Sequence, residues 1–140
     1  MPSIIVLDKL SPDGLALLDA AAKLGISYEV KIGLSGEELK NALASHDGAI
    51  CRSGVKITAD VLAGNHRLRA IVRAGVGTDN IDKQAATRQG IVVMNTPAGN
   101  TVSTAEHAFT LLLALSRNVA PADASLREHR WDRSKYMGVQ

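Results

Sequence analysis

Short β-branched apolar runs alternate along the chain with longer stretches of helical periodicity. Residues 3–7 form the first run and predict a buried strand. Ser11, Pro12 and Asp13 then open a helix, with Ser11 at the N-cap and Pro12 at the first helical position, where its missing N–H costs nothing. Leu15, Leu18 and Ala22 supply the apolar face of that helix, and Gly25 closes it. A strand over 28–32 and a helix over 35–44 follow, with Ser35 and Glu38 in capping-box spacing. The pattern continues with a strand at 48–51, a short helix at 58–62 and a strand at 68–73. A helix at 81–89 is stopped by Gly90, a fifth strand covers 91–94, and a long apolar helix runs over 103–116. Past Ser116 no further element is read; residues 127–135 are polar and basic and hold the one Trp.

Five strands with intervening helices and right-handed crossovers predict an α/β fold, a doubly wound, flavodoxin-like five-stranded parallel sheet. Composition agrees. Hydrophobic residues make up 46% of the 140, but aromatics only 3%, so the core must be built from Ala, Val, Ile and Leu. That suits a parallel sheet covered by helices. A net charge of +2 is too small to argue for nucleic acid or a membrane surface as partner. The longest apolar stretch, 108–115, is interrupted by Thr110 and too short to span a bilayer. The N-terminus has neither the basic lead nor the apolar core of a signal peptide. Cys51 is the single cysteine and has no disulfide partner, which fits a reducing, cytoplasmic setting.

In open α/β sheets ligands bind beyond the carboxyl ends of the strands, which directs attention to three loops. Arg52, Ser53, Gly54 and Val55 place a guanidinium beside a small-residue turn, a partner for a carboxylate or phosphate. From this loop alone, one solvated arginine on an ordinary surface loop is the simpler reading. Arg73 to Asp79 adds a second cation and a G-x-G turn, but Asn80 stands where a dinucleotide fingerprint needs its third glycine. The turn reads as an anion site and not as that fingerprint. Residues 95–107 form a rigid turn feeding a helix N-terminus; Glu106 and His107 are sequence neighbours and so point about 100° apart. The four histidines lack metal-ligand spacing, and no metal site is expected.

Residues 51–58, 73–82 and 93–107, in this order and spacing, resemble the D-2-hydroxyacid dehydrogenases. The wording of the second and third, and of 129–138, is most similar to the 3-phosphoglycerate dehydrogenase branch of that family. The resemblance implies a substrate-binding domain over 1–99, with 100–140 forming a bridging helix and the start of a truncated NAD-binding domain. It implies NAD as cofactor and a small anionic 2-hydroxy acid as substrate, 3-phospho-D-glycerate being oxidised to 3-phosphohydroxypyruvate, the first step of serine biosynthesis. Arg52 to Val55, Arg73, Gly75 and Asn100 would then hold the substrate. Val76 and Thr104 would lie at the nicotinamide. Trp131 and Arg133 would reach the active site of the other subunit in a homodimer. None of the four histidines stands in the family's catalytic motif, so no catalytic residue is expected and the 140-residue chain alone should be inactive. Another D-2-hydroxy acid, such as glyoxylate, hydroxypyruvate or D-lactate, and a non-catalytic anion-binding module remain as alternatives. A phosphorylatable receiver is not among them, because the third strand ends in Cys51-Arg52 where an Asp would be needed.

Overall fold

The alternating runs fold as five strands, β1 (Ser3–Val6), β2 (Ser27–Val30), β3 (Gly48–Cys51), β4 (Ala70–Arg73) and β5 (Val92–Asn95). All are parallel, in the order β2-β1-β3-β4-β5. This is the doubly wound topology that the sequence pattern predicts. Between them run α1 (Pro12–Ala22), α2 (Gly36–Ala44), α3 (Ala59–Leu62) and α4 (Lys83–Arg88). The computed structural model describes residues 1–139. It divides into two compact units, Met1–Gly99 and Asn100–Gln140.

Register is set by one row of side chains. Ile5 pairs with Ala49, Ala49 with Ile71, and Ile71 with Val93 across four strands. This row joins Leu39 and Leu43 of α2, Val61 and Leu62 of α3, and Ala85 and Ala86 of α4 in one buried cluster. Right-handed crossovers put α1 on the opposite face, because the step from β1 to β2 runs against the later ones. There Val6 is fully buried, yet Val92 and Met94 on the edge strand are 56% and 45% exposed. The expected helical cover is therefore complete on one face only.

Local chemistry accounts for the boundaries. Ser11 Oγ accepts from the Gly14 amide at 3.2 Å, the cap expected from the Ser-Pro start. Ser35 occupies the N-cap of α2, but its side chain accepts no capping bond, so the capping-box expectation fails there. On α1 it is Ala21, not Ala22, that joins Leu15 and Leu18 in turning from solvent. β4 starts two residues later than expected, since the amides of Arg67 and Leu68 are both taken by Asn65 Oδ1 (3.0 and 2.9 Å).

The second unit holds α5 (Thr101–Ser116) and a helix the sequence reading missed, α6 (Val119–Arg127). Asn118 in a left-handed conformation (φ 51°) breaks the chain between them. Pro121 hides the second start, but it falls in the first turn, where an N–H has no intrahelical acceptor to lose. The following segment is also more ordered than read. Val139 N–H donates to Ser116 O at 3.0 Å, and a side chain at Gly138 would collide with that same carbonyl. Phe109 and Leu115 of α5 are 65% and 79% exposed.

At the amino edge of the sheet, Asp47 ties three elements together. Its Oδ2 accepts from Ser3 N–H at 2.8 Å, from Ser3 Oγ at 3.0 Å and from Arg67 Nη2 at 3.2 Å. The Arg67 guanidinium, then the two Ser3 donors, hold the carboxyl well below its ordinary value of 3.8. A depressed carboxylate contributes stability that is present above the unfolded value and lost as pH falls toward the folded one. Asp47→Asn is therefore expected to lower the melting temperature at pH 7. The difference from the parent chain should shrink as the pH drops below about 4, as measured by thermal melts across that range; a difference independent of pH would contradict the ionic character of the brace.

Candidate functional site

Parallel strands end at one edge, so the turns after β1, β3, β4 and β5 gather there, and side chains bind them to one another. Asp8, directly after Leu7, accepts the Arg52 N–H on Oδ2 at 2.6 Å. Its other oxygen lies so close to Gly54 that a Cβ at that position would collide with it. From the β4 side, the Asn80 Nδ2 donates to both Arg52 O (2.8 Å) and Val55 O (2.9 Å). The turn after β3 is thus gripped at its first amide and at two of its carbonyls. Among the described residues, the amides of Ser53 and Gly54 have no protein acceptor, and both residues are exposed. Two free adjacent amides in a rigid turn make a small concavity for an anion. The Arg52 guanidinium stands beside them, its Nη1 donating to Lys9 O at 3.3 Å.

Val55 differs from its neighbours. Its side chain is 3% exposed and belongs to the core, so only its backbone is available to the edge. The turn after β4 is the second part of the site. Ala74 N–H donates to Cys51 O (2.8 Å), Thr96 N–H to Gly75 O (3.0 Å), and Asn95 Nδ2 to Val76 O (2.6 Å). Arg73 folds over this turn, with Nη1 donating to Gly77 O, while Nε is buried without a partner. A Cβ at Gly77 would sit 2.8 Å from Asp79 Oδ1 and 3.0 Å from that guanidinium. Beside the two turns a hollow of about 570 Å³ is lined by Ser53, Lys56, Thr58, Asp79, Asn80 and Asp82, among others.

Burial, then the charge of Asp8, pushes the Cys51 thiol up to about 11. It stays protonated at neutral pH and has no use as a nucleophile. Among the described residues no three His, Cys, Asp or Glu side chains group as metal ligands would, and no helix is long and apolar enough to cross a membrane.

Arg52, Ser53, Gly54, Arg73, Gly75 and Val76 therefore share one edge of the first unit, as the strand-end rule predicts. Asn100, Thr104, Trp131 and Arg133 belong to the second unit. Asn100 starts α5, its carbonyl accepting from Thr104 N–H at 2.9 Å. Trp131 and Arg133 line a hollow of about 250 Å³ with Ala122, Ser125, Leu126 and Tyr136. Glu106 and His107 are both exposed on α5. The sequence reading missed Asp8, Asn95 and the role of Asn80. Asp8 was findable, since the strand-end rule applies to β1 as much as to β3. Asn80 was noticed only as the residue that spoils a dinucleotide fingerprint, whereas here it is a two-carbonyl clamp.

Known proteins resemble this chain in sequence and in fold. The chain is 48% identical over 139 residues (99% of it) to D-3-phosphoglycerate dehydrogenase 2, chloroplastic, of Arabidopsis thaliana, and covers 22% of that protein. It is 44% identical over 137 residues (98% of it) to D-3-phosphoglycerate dehydrogenase of Archaeoglobus fulgidus, covering 25%. The chain thus spans about a quarter of the length of the curated relatives it matches. Among solved structures, the NAD+-bound 3-phosphoglycerate dehydrogenase of Entamoeba histolytica superposes with a TM-score of 0.72 at 28% identity, over 83% of this chain and 39% of that one. Residues 4–129 match the profile of the D-isomer specific 2-hydroxyacid dehydrogenase catalytic domain, and the chain belongs to that family.

Proposed function

We propose that this chain is the substrate-holding part of an NAD-dependent oxidoreductase that converts 3-phospho-D-glycerate to 3-phosphohydroxypyruvate. The observation that carries the reading is the Arg52 turn, with one cation and two free amides at the carboxyl edge. A small substrate bearing a carboxylate and a phosphate matches a site whose binding groups are guanidinium charges and backbone amides. The names of the relatives support the same substrate, and their shared family supports the reaction class.

The division of labour follows from the residues. Arg52, Ser53 and Gly54 would hold one anionic group; Arg73 and Gly75 would hold the other once the guanidinium leaves Gly77. Val76, 41% exposed at the tip of the second turn, would lie at the nicotinamide. When bound, NAD supplies the hydride acceptor. The 140 residues contain no G-x-G-x-x-G cradle for the pyrophosphate; after Gly75 and Gly77, Asn80 stands at the third position and clamps the neighbouring turn. Trp131 and Arg133 would serve the neighbouring active site of a homodimer. The buried single thiol suits a reducing compartment such as the cytoplasm.

On this reading the 140-residue chain binds but does not turn over. Purified chain with NAD and 3-phospho-D-glycerate is expected to show no rise in absorbance at the NADH band, and measurable turnover would contradict a purely substrate-holding role. Calorimetric titration should show weak, salt-sensitive binding of 3-phospho-D-glycerate. Arg52→Ala should weaken it about tenfold or more, the loss of one charge-assisted contact. Equal affinity of the variant would place the anion elsewhere.

A further inference from the structure

We propose that Asp8 is a positioning residue for anion binding, acting through the turn from Arg52 to Gly54. The proposal deepens the reading above and rests on it. A carboxylate is an unexpected neighbour for an anion site, since its charge repels the ligand. Geometry explains its presence. Oδ2 takes the Arg52 amide at 2.6 Å, and Oδ1 packs on Gly54, where any side chain would collide with it. Asn80 takes the Arg52 carbonyl at 2.8 Å. The peptide groups on both sides of Arg52 are therefore fixed, one by Asp8 and one by Asn80. The next two amides, Ser53 and Gly54, are left without protein acceptors among the described residues. A charged acceptor grips an amide about twice as strongly as a neutral one, so the carboxylate holds a turn that an exposed loop would otherwise let wander.

The two roles of Asp8 predict opposite signs. If only its charge mattered, removing it would tighten anion binding. If it positions the turn, Asp8→Ala loosens binding, while Asp8→Asn, which keeps an acceptor oxygen, preserves it. The test titrates 3-phospho-D-glycerate into the full 140-residue chain and follows the Ser53 and Gly54 amide resonances, with circular dichroism to confirm folding. The parent chain is expected to show saturable shifts at both amides, Asp8→Ala to bind about tenfold more weakly, and Asp8→Asn to bind at least as tightly as the parent. Parent-like or tighter binding by folded Asp8→Ala overturns the proposal, as does an Asp8→Asn variant as weak as Asp8→Ala. Absence of any shift in the parent removes the anion site itself, and the positioning role with it. Should Asp8→Ala fail to fold, Asp8→Glu decides: it keeps the charge but moves it by one methylene, so weakened binding supports positioning and unchanged binding overturns it.

Discussion

The site depends on a row of four apolar side chains that never reach it. Ile5, Ala49, Ile71 and Val93 fix the register of β1, β3, β4 and β5. A slip of one residue would turn each strand's buried set to the other face, so the register is strongly held wherever helices cover this row. Register in turn decides where each strand ends. Asp8 then reaches the Arg52 amide, the Ala74 N–H reaches the Cys51 carbonyl, and the Thr96 N–H reaches the Gly75 carbonyl. The binding edge is thus a consequence of core packing, transmitted through the length of four-residue strands.

What the edge offers is mostly backbone. The turn after β3 contributes two unpartnered amides and one arginine, and the turn after β4 is drawn over by Arg73. Side-chain tips press close on the backbone at two glycines, Asp8 at Gly54 and Asp79 with Arg73 at Gly77. Side chains that look decorative in sequence, Asp8, Asn80 and Asn95, hold the turns in shape by accepting or donating to main-chain groups. Such preorganisation would let a small anion bind without first ordering a loop.

Much of this was legible in the residues. Short β-branched apolar runs and helical spacing placed all five strands and the first five helices, and the strand order observed is that of the flavodoxin-like class they predict. The strand-end rule brought Arg52 and Arg73 to one edge. Less legible were features that depend on a distant partner. Asn80 clamps carbonyls 25 and 28 residues away, a contact that no local pattern encodes. Ser35 has the spacing of a capping box and does not cap, while α6 forms despite Pro121 because the proline falls where helices tolerate it. Val55 lies among site residues in sequence and in the core in space.

On the reading proposed, the turn after β3 is an anion site preformed by Asp8 and Asn80. The most direct measurement is a crystal structure of the chain with 3-phospho-D-glycerate. The account predicts one anionic group within hydrogen-bond distance of the Ser53 and Gly54 amides and of the Arg52 guanidinium, with the Asp8 and Asn80 bonds unchanged. Ligand seated elsewhere on the chain, or a turn that rebuilds to receive it with Asp8 released, would contradict it.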